Sequence, residues 1–262
     1  MIGAIIGDIA GSTYEFHSIK TMDFPLFAPG SNTTDDSLMS IAVASALMQT
    51  GEGGDFKASV VSSMRQIAAK YPCPMGGYGG RFRHWLVSPH PRPYGSFGNG
   101  SAMRVSPCGD VAATLDEALE LARQSAEVTH NHPEGIKGAQ AVAAAIYLAR
   151  AGESRDGIRS YIEQHFYPLH QTVDEIIPRY RFDETCQGTV PQAITAFLES
   201  VSFEDALRTA VFLSGDCDTL TDITCAIAWP FYARNGLDDT MVRLRDETLA
   251  LLHDDLREIV IR

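Results

Sequence analysis

Ala139-Gln-Ala-Val-Ala-Ala-Ala-Ile-Tyr-Leu-Ala-Arg150 puts small or apolar side chains on nearly every face of a helix. That pattern suits a helix enclosed by protein on most sides. Its apolar run, Ala141 to Ala149, is far shorter than the 18 or so residues a bilayer requires. Outward from it the periodicity stays helical. Upstream, Leu115–Val128 repeats Ala118, Leu119 and Ala122, and Ser37–Gln49 repeats Leu38, Ile41, Ala42, Ala44, Ser45 and Met48. Downstream, Pro191–Ser200 opens on a proline suited to a first turn, and Phe203–Leu213 follows Ser202, a good N-cap. Thr219–Arg234 is an apolar helix that Pro230 should kink or end, and Asp239–His253 is conventionally amphipathic. Period-two strands are scarce, so the pattern predicts a largely α-helical chain. Tyr71–Gly109 breaks the rule. Cys73-Pro-Met-Gly-Gly-Tyr-Gly-Gly80, Pro89, Pro91, Pro93 and Gly98-Asn-Gly100 exclude a long helix there. Its arginines, with Trp85, Tyr94 and Phe97, mark a structured functional loop rather than a linker. A second such loop spans Lys20–Thr33. With no internal repeat, residues 1–262 read as one domain.

Composition narrows the function. The 262 residues are 45% hydrophobic and 21% charged, which excludes a wholly disordered chain. A net charge of −12 argues against non-specific binding to nucleic acid or anionic lipid. An anionic ligand would need local cations and backbone donors. Met1-Ile-Gly-Ala-Ile-Ile-Gly-Asp8 lacks a basic leader and reads as mature protein. Five cysteines without a Cys-x-x-Cys pair point to free thiols in the cytoplasm, not to disulfides or a zinc site.

Two acidic clusters carry the chemistry: Thr33-Thr34-Asp35-Asp36-Ser37 and Ser214-Gly215-Asp216-Cys217-Asp218-Thr219. Each stands before a helix, where Ser, Thr and Asp commonly cap. One capping side chain is enough, however, and each cluster offers two acids beside hydroxyls. If the clusters converge, four carboxylates share a small site and repel one another unless cations intervene. Two divalent ions would balance four carboxylates. With threonine oxygens, the shell would be hard and all-oxygen, suiting Mg²⁺, Mn²⁺ or Ca²⁺.

In order along the chain stand Gly7-Asp8-Ile-Ala-Gly11-Ser-Thr-Tyr-Glu15, Thr34-Asp35-Asp36 and Gly98-Asn99-Gly100-Ser101-Ala-Met103-Arg104. Thr129-His130-Asn-His132-Pro133 and Ser214-Gly215-Asp216-Cys-Asp218-Thr219 follow. In these motifs the chain resembles the ADP-ribosylglycohydrolase family, from Met1 to about Tyr232. The resemblance implies an all-α, orthogonal helical bundle and hydrolysis of the glycosidic bond between ADP-ribose and an acceptor, a protein side chain or small molecule. It also implies a centre of two Mg²⁺ (or Mn²⁺) ions on Thr34, Asp35, Asp36, Asp216, Asp218 and Thr219. Asp35 and Asp36 would hold metal and attacking water, and Glu15 would position substrate or assist proton transfer. Asn99, Gly100, Ser101, Met103, His130 and His132 would contact substrate. Arg81, Arg83 and Arg104 are candidate local cations. Tyr94 and Phe97 would stack adenine or anchor the loop. Two other readings stand beside this one: a metal-dependent phosphoester or nucleotide-sugar hydrolase on the same scaffold, and a non-catalytic ADP-ribose-binding protein. The chain departs from the family at Leu220-Thr221-Asp222, where small residues are usual. Asp222 falls four after Asp218 and so shares its helix face, as an outer acid, a further ligand or a polar defect.

Overall fold

A computed structural model describes residues 1–51 and 53–262. Among them the secondary structure is helical with no strand; only isolated bridges, Thr34 with Met75 and Gly98 with Thr185, pair extended backbone. The helices are α1 (Ile2–Gly11), α2 (Asp35–Gln49), α3 (Phe56–Lys70), α4 (Gly80–Val87) and α5 (Ser106–Val111). Then come α6 (Leu115–Glu127), α7 (Pro133–Ala151), α8 (Arg155–His165), α9 (Val173–Ile176) and α10 (Cys186–Glu199). The last four are α11 (Phe203–Leu213), α12 (Cys217–Tyr232), α13 (Asp239–Leu251) and α14 (Asp254–Ile261). Side-chain caps of the anticipated kind start several: Thr34 on α2, Thr114 on α6 and Ser202 on α11. No helix of the described residues is long and apolar enough to cross a membrane.

The Ala-rich helix α7 lies between two apolar clusters. Ala141, Ala144, Ala145 and Ile146 join one with Phe197, Phe203 and Leu207, while Ala139 and Ala143 join the other with Met39, Ile41 and Met64. Burial on opposite faces explains why its sequence shows so little amphipathicity. It also starts earlier than its apolar run, at Pro133, a residue suited to the first turn. Helix α10 differs more. Thr185 caps it through the Gly188 N–H (3.0 Å), so Pro191 sits inside the helix rather than opening it. Pro230 likewise sits within α12 without ending it; the helix runs to Tyr232 and closes in a 3₁₀ turn, Ala233–Asn235. The Gly- and Pro-rich stretch holds the short α4 and 3₁₀ turns at Asn99–Ser101 and Met103–Val105.

What positions the site is the pairing of α1 with α12. Gly3, Gly7 and Gly11 recur every fourth residue, on one face of α1. A Cβ on Gly7 would lie 2.3 Å from the Thr221 carbonyl oxygen, and one on Gly11 would lie 2.6 Å from the Asp218 Cα. The two backbones are therefore in direct contact, and Asp8 on α1 is brought against the acids of α12.

Candidate active site

The first half of the site is the start of α2, and Asp8 organises it. Fully buried, Asp8 accepts from the Thr34 N–H (2.9 Å), the Thr34 hydroxyl (2.7 Å), the Ser37 N–H (3.1 Å) and the Ser37 hydroxyl. Thr34 in turn caps α2 by accepting from the Asp36 N–H (3.2 Å). The first turn is thus pinned on both sides, and it presents Asp35 and Asp36. Sequence reasoning gave Asp8 no role beyond membership of a motif. The available signal was an acid in the middle of an otherwise apolar and glycine-rich helix.

The second half is the link from α11 to α12. Ser214 has φ +64° and Gly215 φ +82°, a left-handed pair that turns the chain sharply. A Cβ on Gly215 would fall 2.5 Å from the Tyr180 ring, so only glycine fits there. Asp216 stands where an N-cap would, yet its side chain makes no capping bond. It accepts instead from the Asn99 amide at 2.6 Å, which ties it to the loop before α5.

The two halves converge. Carboxylate oxygens of Asp8, Asp36 and Asp218 lie within 4.8 Å of one another, and so do those of Glu15, Asp216 and Asp218. Asp218 belongs to both groups. Burial raises every one of these acids, and neighbouring carboxylates add to the rise for Glu15, Asp36, Asp216 and Asp218. Glu15 is pushed up to about 7 by burial, then by Asp216 and Asp8. Asp35 rises to about 8 through burial and Asp8. Asp36 and Asp218 are held well above the usual carboxylate range by burial and by Asp218 and Asp216 respectively. Asp36 Oδ2 and Asp218 Oδ1 are buried without a hydrogen-bond partner. Orphaned oxygens in an all-oxygen acidic set suit hard divalent cations, so these residues fit a metal centre. Thr219 lines the same cleft.

Above the acids, a cleft of about 470 Å³ is bordered by Gly76–Arg83 on one wall and by Ser96, Gly98, Asn99, Gly100, Met103 and His130 on another. Asn99 borders it while its amide is engaged by Asp216 and Thr189. Buried Arg104 clamps this loop from below, donating to the Gly100 carbonyl (3.1 Å), the Ser125 carbonyl (2.7 Å) and the Thr129 hydroxyl (2.8 Å). It is a structural cation rather than a free one. His130 pairs through Nδ1 with the Thr129 hydroxyl (2.7 Å), and burial together with Arg104 holds it neutral. Two residues expected at the substrate do not line the cleft. Ser101 is fully buried and donates to the Gly135 carbonyl (2.7 Å), which fastens the loop to α7. His132 is the N-cap of α7, its ring accepting from the Glu134 N–H (3.1 Å), with Phe97 packed against it. Arg81 lies over the Tyr94 ring and donates to the Tyr94 carbonyl, stiffening one rim. Asp222 is also absent from the cleft wall.

A sequence profile of the ADP-ribosylglycohydrolase family matches residues 1–260. The chain belongs to that family. It is 25% identical to the ADP-ribosylhydrolase ARH3 of Homo sapiens over 318 residues, covering 92% of this chain and 86% of the relative. Against ARH3 of Gallus gallus it is 29% identical over 200 residues, covering 63% and 52%. Among solved structures, an ADP-ribosylglycohydrolase-related protein complex superposes with a TM-score of 0.71 at 22% identity, covering 98% of this chain and 95% of that one. The all-α architecture is therefore that of the ADP-ribosylglycohydrolase fold. Membership makes the chain a hydrolase of ADP-ribose linkages, in a family that depends on metal.

Proposed function

We propose that this chain releases ADP-ribose from an ADP-ribosylated protein side chain or small molecule, with two Mg²⁺ or Mn²⁺ ions held by Thr34, Asp35, Asp36, Asp216, Asp218 and Thr219. The ions, when bound, would supply Lewis acidity and fix the ribose hydroxyls. The observation that supports this reading is that Asp218 belongs to two groups of three close-set carboxylates, one with Asp8 and Asp36 and one with Glu15 and Asp216, which would offer two adjacent places for a cation; Thr34, Asp35 and Thr219 join the set through the family resemblance. Glu15, raised to about 7, can take or give a proton near neutral pH and stands at the edge of one group. Carboxylates facing the anomeric carbon favour the positive charge that develops as the glycosidic bond breaks. Gly98, Gly100 and neutral His130 form the wall suited to the diphosphate, and Asn99 holds Asp216 in place. The charge of −12 supports a discrete substrate over non-specific nucleic acid, and the five free cysteines support a cytoplasmic location. The helix α7, shared by both apolar clusters, supports one domain over residues 1–262.

Mass spectrometry of the products tests the reading. With Mg²⁺ and a panel of ADP-ribosylated acceptors, the protein should yield ADP-ribose, and Asp218→Asn should reduce release to background. AMP with ribose phosphate as products, or full turnover by the variant, would refute it.

A further inference from the structure

Asp222 is a buried acid that does not line the cleft. It lies at zero exposure one helical turn beyond Asp218 on α12, and neither carboxyl oxygen has a hydrogen-bond partner. A Cβ on Gly7 would come within 2.8 Å of the Asp222 backbone nitrogen, so Asp222 sits at the contact of α1 and α12, on the helix that carries Asp218 and against the helix that carries Asp8. The charged groups acting on it are Asp8, Asp36 and the N-terminal ammonium. The N-terminal nitrogen lies against Asp110, and burial lowers it to about 5, so it is a poor cation near neutral pH. A fully buried carboxyl with two unmet acceptors is a cost to folding unless a nearby cation offsets it. Among the described residues no lysine or arginine acts on it, so the cations that can offset it are those of the proposed metal centre.

We infer that Asp222 is a positioning residue for the metal centre, an outer carboxylate whose charge tightens divalent-cation binding from behind Asp8 at the expense of the metal-free fold. It reaches neither substrate nor cleft, and its oxygens fall outside both groups of three close-set carboxylates. It therefore acts through charge and through Asp8, which holds Thr34 and Ser37 at the start of α2. Outer-shell partners of this kind typically change metal affinity about 10- to 100-fold.

This inference rests on the proposed metal centre, and the test separates the two. Asp222→Thr is the informative variant. Thr221 and Thr224 on the same helix each donate to the carbonyl four residues back, Cys217 at 2.6 Å and Leu220 at 2.8 Å. A threonine at 222 can satisfy itself in the same way on Asp218. Asp222→Asn keeps the shape and cannot ionise, though it exchanges one acceptor oxygen for an NH₂ donor. Mg²⁺ and Mn²⁺ affinities are measured by titration calorimetry and by Mn²⁺ electron paramagnetic resonance, and melting is followed in EDTA.

Both variants should bind metal about tenfold more weakly or worse, while the metal-free Asp222→Thr protein melts higher than wild type. A purely structural role would move both quantities downward together, as Thr224→Val should by deleting the buried hydroxyl whose one hydrogen the Ala193 and Leu220 carbonyls share. Wild-type metal affinity in Asp222→Thr overturns the inference, as does a lower metal-free melting point. If Asp222→Asn fails to fold, the threonine variant alone decides. If wild type binds no divalent cation, the metal centre itself fails.

Discussion

Asp8 receives two N–H groups and two hydroxyls from Thr34 and Ser37, so its loss leaves buried donors with nothing to replace it. Each orphaned buried donor costs about 1–3 kcal/mol. Removing Asp8 also relieves repulsion with Asp35 and Asp36, but those acids can relieve it themselves by staying protonated, whereas the donors have no such option. Asp8→Ala should therefore lose about 2–4 kcal/mol in urea unfolding of the metal-free protein. It should also weaken Mg²⁺ binding, because the turn bearing Asp35 and Asp36 loses its anchor. Unchanged unfolding would show that the four bonds add nothing net. Thr34 as a cap and Asp35-Asp36 as an acidic pair were legible, since capping chemistry is local. That Asp216 would not cap, and that Asn99 would claim it instead, depends on a contact spanning 117 positions. Ser101 and His132 show the reverse: their motifs were legible, but each side chain is taken up by α7.

At the level of elements, α1 and α12 touch along glycines, and the distance between them sets the distance between Asp8 and Asp218. A methyl group on Gly11 would meet the Asp218 Cα at 2.6 Å and the Cys217 carbonyl oxygen at 2.6 Å, both backbone atoms that cannot turn aside. Gly11→Ala should cost about 1–3 kcal/mol by overpacking and weaken metal binding as the helices part. Gly51→Ala, with nothing within 4 Å of its Cβ, should leave both thermal melting and Mg²⁺ titration unchanged. Equal behaviour of the two variants would refute the close-packing account. The same glycines hide α1 in the sequence: residues that discourage helix formation in isolation are here what lets two helices meet. Helices whose apolar faces repeat, such as α6, α11 and α13, are readable because periodicity records a single buried face, while α2, buried on most sides, is legible from its apolar composition. For α10, a proline suited to a first turn is a sound local clue overridden by the Thr185 cap, upstream of the expected start at Pro191. The short α4 and the 3₁₀ turns around Asn99 follow from tertiary bonds, Asn99 N–H to the Glu184 carbonyl among them, which no local pattern reports.

Over the whole molecule, an excess of acid is gathered into one buried site, and this ties stability to pH and to metal with a definite sign. Folded Glu15 titrates at about 7 and folded Asp35 at about 8, against ordinary values of 4.5 and 3.8. Between those ordinary values and about pH 8, the folded metal-free chain holds protons that the unfolded chain releases. Stability therefore falls as pH rises through that window. The metal-free protein in EDTA should accordingly melt higher at pH 5.5 than at pH 8. Divalent cations reverse the balance, because ligating carboxylates must be ionised and the cation binds only the folded site. At a hundred times its dissociation constant, Mg²⁺ adds about 2.7 kcal/mol, roughly 5–10 °C for a chain of this size. That gain should be larger at pH 8 than at pH 5.5, where protons compete for the same oxygens. Differential scanning calorimetry at both pH values, with EDTA and with Mg²⁺, reads all four conditions. A metal-free midpoint that climbs with pH, or a Mg²⁺ shift greater at pH 5.5, would mean that the acids are not confined together as described.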